Sequence, residues 1–195
     1  MMTPLPSPPQ LIELAYHYYP RGILYDRTAE PSPELRQRLE VCDQAWEKRG
    51  RWQAFLEQVE HQLPGCWIWD ETLPRQGGAY KSRVFPPRFS QYHLPASLTA
   101  VGLVSYLAPV YLVYASFLQR DPQDERRDLP PVLSYQPEGE IAPYARTLAE
   151  AIEAVFDYPA LPLDIASLPV PDIQVGNLRY GTARLIDVLF MDDRT

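Results

Sequence analysis

Several groups of side chains in this 195-residue chain have types and spacings that could do chemistry. His17 follows Glu13 by four positions, within Tyr16-His17-Tyr18-Tyr19. An imidazole that titrates near neutral pH beside a carboxylate is a general acid–base pair, provided a cleft forms next to it. Trp67 and Trp69, two positions apart, fall on one face of a strand together with Glu71. Such a pair is either core or an exposed aromatic anchor for a ligand or a protein. With His17 it outlines an aromatic cleft for a small ligand or a substrate. Residues 75–92 interleave Arg75, Lys81, Arg83 and Arg88 with Tyr80, Phe85, Phe89 and Tyr92, and hold no acid. That mixture grips phosphates and stacks bases, so a nucleic-acid adaptor is one reading; the other pairs these cations with the acidic C-terminal part of the chain.

The remaining inventory points away from catalysis. His17, His61 and His93 form no i, i+4 pair, and Cys42 and Cys66 have no second ligand at short spacing. No metal, no cofactor and no catalytic residue is expected. Cys66 beside Trp67 reads as a small buried hydrophobe, and both thiols are expected to be reduced. Gln76-Gly77-Gly78-Ala79-Tyr80-Lys81-Ser82 ends in Lys-Ser but lacks the first glycine of a phosphate loop, and no Gly-x-Ser-x-Gly elbow occurs.

The elements that must position these groups follow from period and punctuation. Gln10 to Tyr19, closed by Pro20-Arg21-Gly22, reads as a first strand and its turn. Ser32 is a helix N-cap with Pro33 behind it, and Leu35, Leu39, Cys42 and Trp46 recur at helical spacing. A helix of about 30 residues down to Leu63-Pro64-Gly65 is predicted, with a kink or a break at Gly50, where the apolar stripe is displaced. Cys66–Asp70 and Ala79–Val84 read as strands. Leu98–Leu107 and Val110–Leu118 are apolar on both alternating faces, which marks the covered middle of a sheet. Asp121–Asp128 reads as a solvated charged loop, Val132–Tyr135 as a short strand, and Leu148, Ile152, Val155 and Phe156 as the stripe of a second helix stopped at Tyr158-Pro159. For Tyr180–Met191 the period leaves a terminal strand and a short helix both open.

The result is one α+β domain over 1–195: a mainly antiparallel sheet, a long helix in the N-terminal half, a second helix in the C-terminal half, and an extended Pro-rich stretch at 1–9. The 22 prolines, roughly twice the average usage, break the rest into short elements. Leu94 to Gln119 carries no formal charge and is long enough to span a bilayer, but Pro95, Pro109 and the β-branched content favour two buried strands. No membrane segment is expected, and with no basic, apolar leader at the start the chain is placed in the cytoplasm.

Three stretches carry a resemblance: Tyr18-Tyr19-Pro20-Arg21-Gly22, Val104–Tyr111 and Gly181–Phe190. In that order, on a proline-rich acidic chain of this length, they resemble small cytosolic immunity proteins encoded beside bacterial polymorphic-toxin genes. The resemblance implies a non-enzymatic protein that neutralises a cognate toxin by direct binding and blockade. Charge suggests where. The formal net charge is −7, with +5 over residues 72–120 and −8 over residues 121–195. An acidic pole steers a basic partner, such as a basic toxin domain, and argues against nucleic acid or an anionic membrane. The expected contact surface is therefore Asp121, Asp124, Glu125 and Asp128 with Asp192 and Asp193.

Overall fold

The computed structural model describes residues 3–23, 30–89 and 96–190, with the side chains of 125–127 outside that description. The fold is α+β, built on a six-stranded sheet in which every pairing is antiparallel.

The stretch Gln10–Tyr19, expected to be a strand, is a helix, α1 (Pro8–Tyr18), which also takes Pro8 and Pro9 from the stretch expected to be extended. Its start is specified locally. Gln10 Oε1 accepts from the Ser7 N–H at 2.8 Å, closing the end, and Pro8 occupies the first turn, where a missing N–H costs nothing. Leu11 and Ala15, one turn apart, are fully buried and set the face that packs.

The single long helix is two: α2 (Pro33–Glu47), with the Ser32 hydroxyl accepting from the Leu35 N–H at 3.3 Å, and α3 (Gly50–Gln62). The break falls at Lys48 and Arg49, just before Gly50. Arg49 holds the corner, its Nη1 donating to the Trp46 carbonyl at 3.0 Å and its guanidinium lying 4.5 Å from the Trp46 ring centre. Gly65, at φ +84°, then turns the chain into the sheet in a conformation that favours glycine.

β1 (Trp67–Asp70), β2 (Ala79–Phe85), β3 (Ala96–Ser105) and β4 (Tyr111–Asp121) follow in spatial order. β4 then pairs with both β5 (Asp124–Asp128) and β6 (Val132–Ser134). The segment expected to be a charged loop is thus an arm of a hairpin, with a register shift at Arg120/Asp121. Its turn is Asp121-Pro122-Gln123-Asp124, where Asp121 Oδ1 accepts from the Gln123 N–H at 2.9 Å.

α4 (Ala142–Phe156) and α3 cover one face of the sheet, burying Trp52, Phe55, Ala100, Val104, Leu148 and Ile152. α1 and α6 (Leu185–Phe190) cover the other, burying Leu11, Val101, Leu103, Leu112 and Leu189; α5 (Leu163–Ala166) is one turn beside α6. The alternation Val101/Leu103 against Ala100/Val104 is what a strand covered on both faces requires. Each fully buried leucine here contributes about 1.5–3 kcal/mol. Gly102 faces α4: an added Cβ would stand 3.3 Å from Ser82 Oγ and 3.4 Å from Ile152 Cδ1. The ambiguous end of the chain resolves as helix α6. Among the described residues no helix is long and apolar enough to cross a membrane; the described part of the uncharged run is β3, β4 and their turn.

Candidate functional site

β1 forms one edge of the sheet and presents Trp67 and Trp69 on the same side. Its antiparallel register puts Phe85 opposite Trp67 and Arg83 opposite Trp69. The three aromatic rings therefore stack. Trp67 lies 4.5 Å from Phe85, and Trp69 lies 5.7 Å from Trp67 with the two indole planes only 8° apart. Trp69, at the outer end, remains 48% exposed. The pair is neither core nor loosely displayed, because its inner ring is packed while its outer ring meets water.

A charge cluster grips the same end of the strand. Arg83 Nε donates to Glu71 Oε1 at 2.7 Å and its Nη2 to Oε2 at 3.2 Å, a bidentate fork. Lys81 Nζ stands 3.3 Å from the same carboxylate, and Arg83 Nη1 donates to Thr99 Oγ1 at 3.0 Å. Backbone bonds clamp the strand end further: the Glu71 N–H donates to the Lys81 carbonyl at 2.8 Å, and the Lys81 N–H to Thr72 Oγ1 at 3.0 Å. All three charged side chains are largely shielded, so the geometry is held more firmly than an exposed ion pair would be.

The four cations of the run from 75 to 92 are each paired on the protein itself, Lys81 and Arg83 sharing one carboxylate. Besides Lys81 and Arg83, Arg75 forms a fork with Asp43 at 2.7 Å, and Arg88 stands 3.4 Å from Glu140. The Arg75 guanidinium holds the Asp43 carboxyl below its ordinary range. The expected pairing with the acidic C-terminal part is corrected: Asp43 and Glu71 pair with three of these four cations, and Glu140, from the C-terminal part, with the fourth. Tyr80 is buried, its hydroxyl donating to the Ala45 carbonyl, and Phe85 belongs to the stack. Tyr92 lies outside the described residues.

His17 and Glu13 stand exposed one turn apart on α1, with the imidazole edge-on to Tyr18 at 4.9 Å. α1 packs against α2 and α6, whereas β1 packs against β2 and α3, so His17 and the tryptophans are set on separate elements. Tyr19 turns inward, and the buried Arg38 donates to its hydroxyl at 3.3 Å; burial pushes that phenol up to about 12. Cys42 is buried and Cys66 half-buried, both free, and burial pushes both thiols up, away from the reactive thiolate. Among the described residues no group of three or more His, Cys, Asp or Glu could hold a metal ion.

The acidic set is split. Asp121, Asp124 and Asp128 come together on the β4–β5 hairpin, but the Asp121 carboxylate is engaged in the turn. The main chain of Glu125 lies in β5, its side chain outside the description; Asp192 and Asp193 lie outside the described residues. The signal that sequence reasoning missed is the antiparallel register, which recruits Phe85, Arg83 and Lys81 to the tryptophans and Glu71. Comparisons with protein-family models, with curated proteins and with solved structures return no match to this chain.

Proposed function

We propose that this chain is a cytoplasmic immunity protein that neutralises a cognate toxin by binding it directly and blocking it. The observation that carries the reading is Trp69: a half-exposed indole, stacked on Trp67 and Phe85 and held on an ion-paired strand end. Covering a half-exposed tryptophan takes on the order of 100 Å² out of water, about 2–3 kcal/mol. Because the ring is already stacked, less side-chain freedom is lost on binding. Tryptophan and arginine in a partly desolvated setting are the residue types that dominate protein interfaces.

The reading also draws on the resemblance of Tyr18–Gly22, Val104–Tyr111 and Gly181–Phe190 to immunity proteins, and on the net charge of −7, which suits a basic toxin domain. Blockade requires only a rigid complementary surface, so the partner is a protein and no cofactor is invoked.

The test is to express the product of the gene immediately upstream with and without this chain. Growth arrest by that product alone, restored growth with this chain, and co-purification of the pair are the expected results. A harmless upstream product that does not co-purify overturns the reading.

A further inference from the structure

The backbone of β1 offers more than a platform for its indoles. The Glu71 N–H to Lys81 carbonyl bond fixes the phase of the β1–β2 ladder. In an antiparallel pair hydrogen-bonded positions alternate, so Trp69 and Trp67 bond to β2, while the N–H and C=O groups of Ile68 and Asp70 point away from it. Among the described residues no strand lies beyond β1 in the sheet. Edge strands with open groups are templates for another strand, and proteins ordinarily blunt them with proline, lysine or a bulge. Trp67-Ile68-Trp69-Asp70, four residues long and closed by the charged Asp70, has no proline, lysine or bulge, and its aromatic and β-branched residues favour strand pairing.

We infer that β1 takes an extended segment of its protein partner as an added strand, through the open backbone groups of Ile68 and Asp70, with an apolar side chain of that segment covering Trp69. This rests on the immunity reading and specifies how the toxin would be held. The main chain supplies the hydrogen bonds, and alternate side chains supply the selection. Charge decides between occupants. A second copy of this chain brings another −7 and its own exposed Asp70, whereas a segment with lysine or arginine beside its apolar residue complements that carboxylate, one oxygen of which accepts from the Thr72 N–H at 3.0 Å.

The test is amide exchange at residues 67–70 in the free chain and in its complex with the purified upstream product. Supporting results are that the Ile68 and Asp70 amides slow about a hundredfold on binding while those of Trp67 and Trp69, already bonded to β2, change little. Ile68→Pro, which removes an outward N–H, is expected to weaken the complex about tenfold or more with the far-ultraviolet circular dichroism unchanged. If that variant does not fold, exchange in the wild-type complex decides alone. A complex that leaves both amides at their free rates overturns strand addition and leaves the immunity reading standing. An upstream product that neither arrests growth nor binds overturns both. A dimer of this chain that protects the same amides without the upstream product overturns the inference in favour of self-pairing.

Discussion

The two edges of the sheet are built on opposite rules. At the far edge β6 has only three residues, enters through Pro130-Pro131 and leaves toward Pro137, while β5 is charged along its length and joins β4 through a register shift. Proline cannot donate to a ladder, charges resist stacking against another chain, and a shifted register spoils the template. At the near edge β1, four residues long, carries two tryptophans and an isoleucine before the charged Asp70, with no proline and no register shift. Apolar exposure alone does not separate the two, since Val132 on β6 is 66% exposed and Trp69 on β1 is 48% exposed. What differs is preorganisation. Trp69 is the end of a stack on a strand whose end is closed by the Glu71–Arg83 ion pair, whereas Val132 sits on a short strand flanked by prolines.

The contrast is broken most directly by truncating one side chain at each edge. Trp69→Ala is expected to cost about 2–4 kcal/mol in affinity for the upstream product, the range of an interface hot spot, and Val132→Ala less than about 0.5 kcal/mol. Equal losses in isothermal titration calorimetry would put both edges in the interface. Next in size is Glu71→Ala, which leaves Arg83 and Lys81 without their shared carboxylate in a shielded setting. It should lower folding stability by about 1–3 kcal/mol, measured by urea denaturation, while Arg75→Ala, breaking an exposed pair, leaves the transition in place.

A pH titration sharpens the same picture. Burial pushes the Tyr80 phenol from 10.0 to about 12, and the same cause raises Tyr19 equally. A buried phenol that ionises later than in the unfolded chain favours folding fully below pH 10.0 and loses that advantage as pH rises toward about 12. The phenols' share of the stability is therefore expected to be constant up to about pH 10 and to fall above it. Since the Tyr80 hydroxyl ties β2 to α2 at Ala45 and its ring stacks on Trp52 at 4.9 Å, the fluorescence of Trp52 should change in that window. A transition centred below pH 9 would show that these phenols do not control it.

Much of the fold was legible because it is local or periodic. The paired apolar runs at Leu98–Leu107 and Val110–Leu118, the Ser32-Pro33 start and the stripe through Leu148 and Ile152 each state their element within a few residues. α1 was misleading because Tyr16–Tyr19 has strand propensity, while the deciding signals, Ser7 with Gln10 and the Leu11–Ala15 spacing, are fewer and weaker. The site was half legible. Trp67, Trp69 and Glu71 could be set on one face from spacing alone, but Phe85 and Arg83 join them only through a β1–β2 register, which local patterning does not specify. The acidic set shows the converse: composition named it, and the turn at Asp121 assigned one of its carboxylates to structure.

That reassignment yields the smallest expected effect. Residues 121–128 carry four acids against Arg126 and Arg127, so the hairpin is only weakly negative. Reversing Asp124 and Asp128 to lysine should slow association with the upstream product about two- to fivefold at low salt and leave it unchanged at high salt, because exposed charges act on encounter and are screened. Dissociation should stay constant if the bound surface is β1. An unchanged association rate at low salt removes the hairpin from the encounter, and a faster dissociation moves the far edge into the contact itself. Asp121→Asn separates the roles within the hairpin: the amide oxygen still accepts from Gln123, so the turn persists while a charge is lost, and any rate change then reports electrostatics and not a loosened strand.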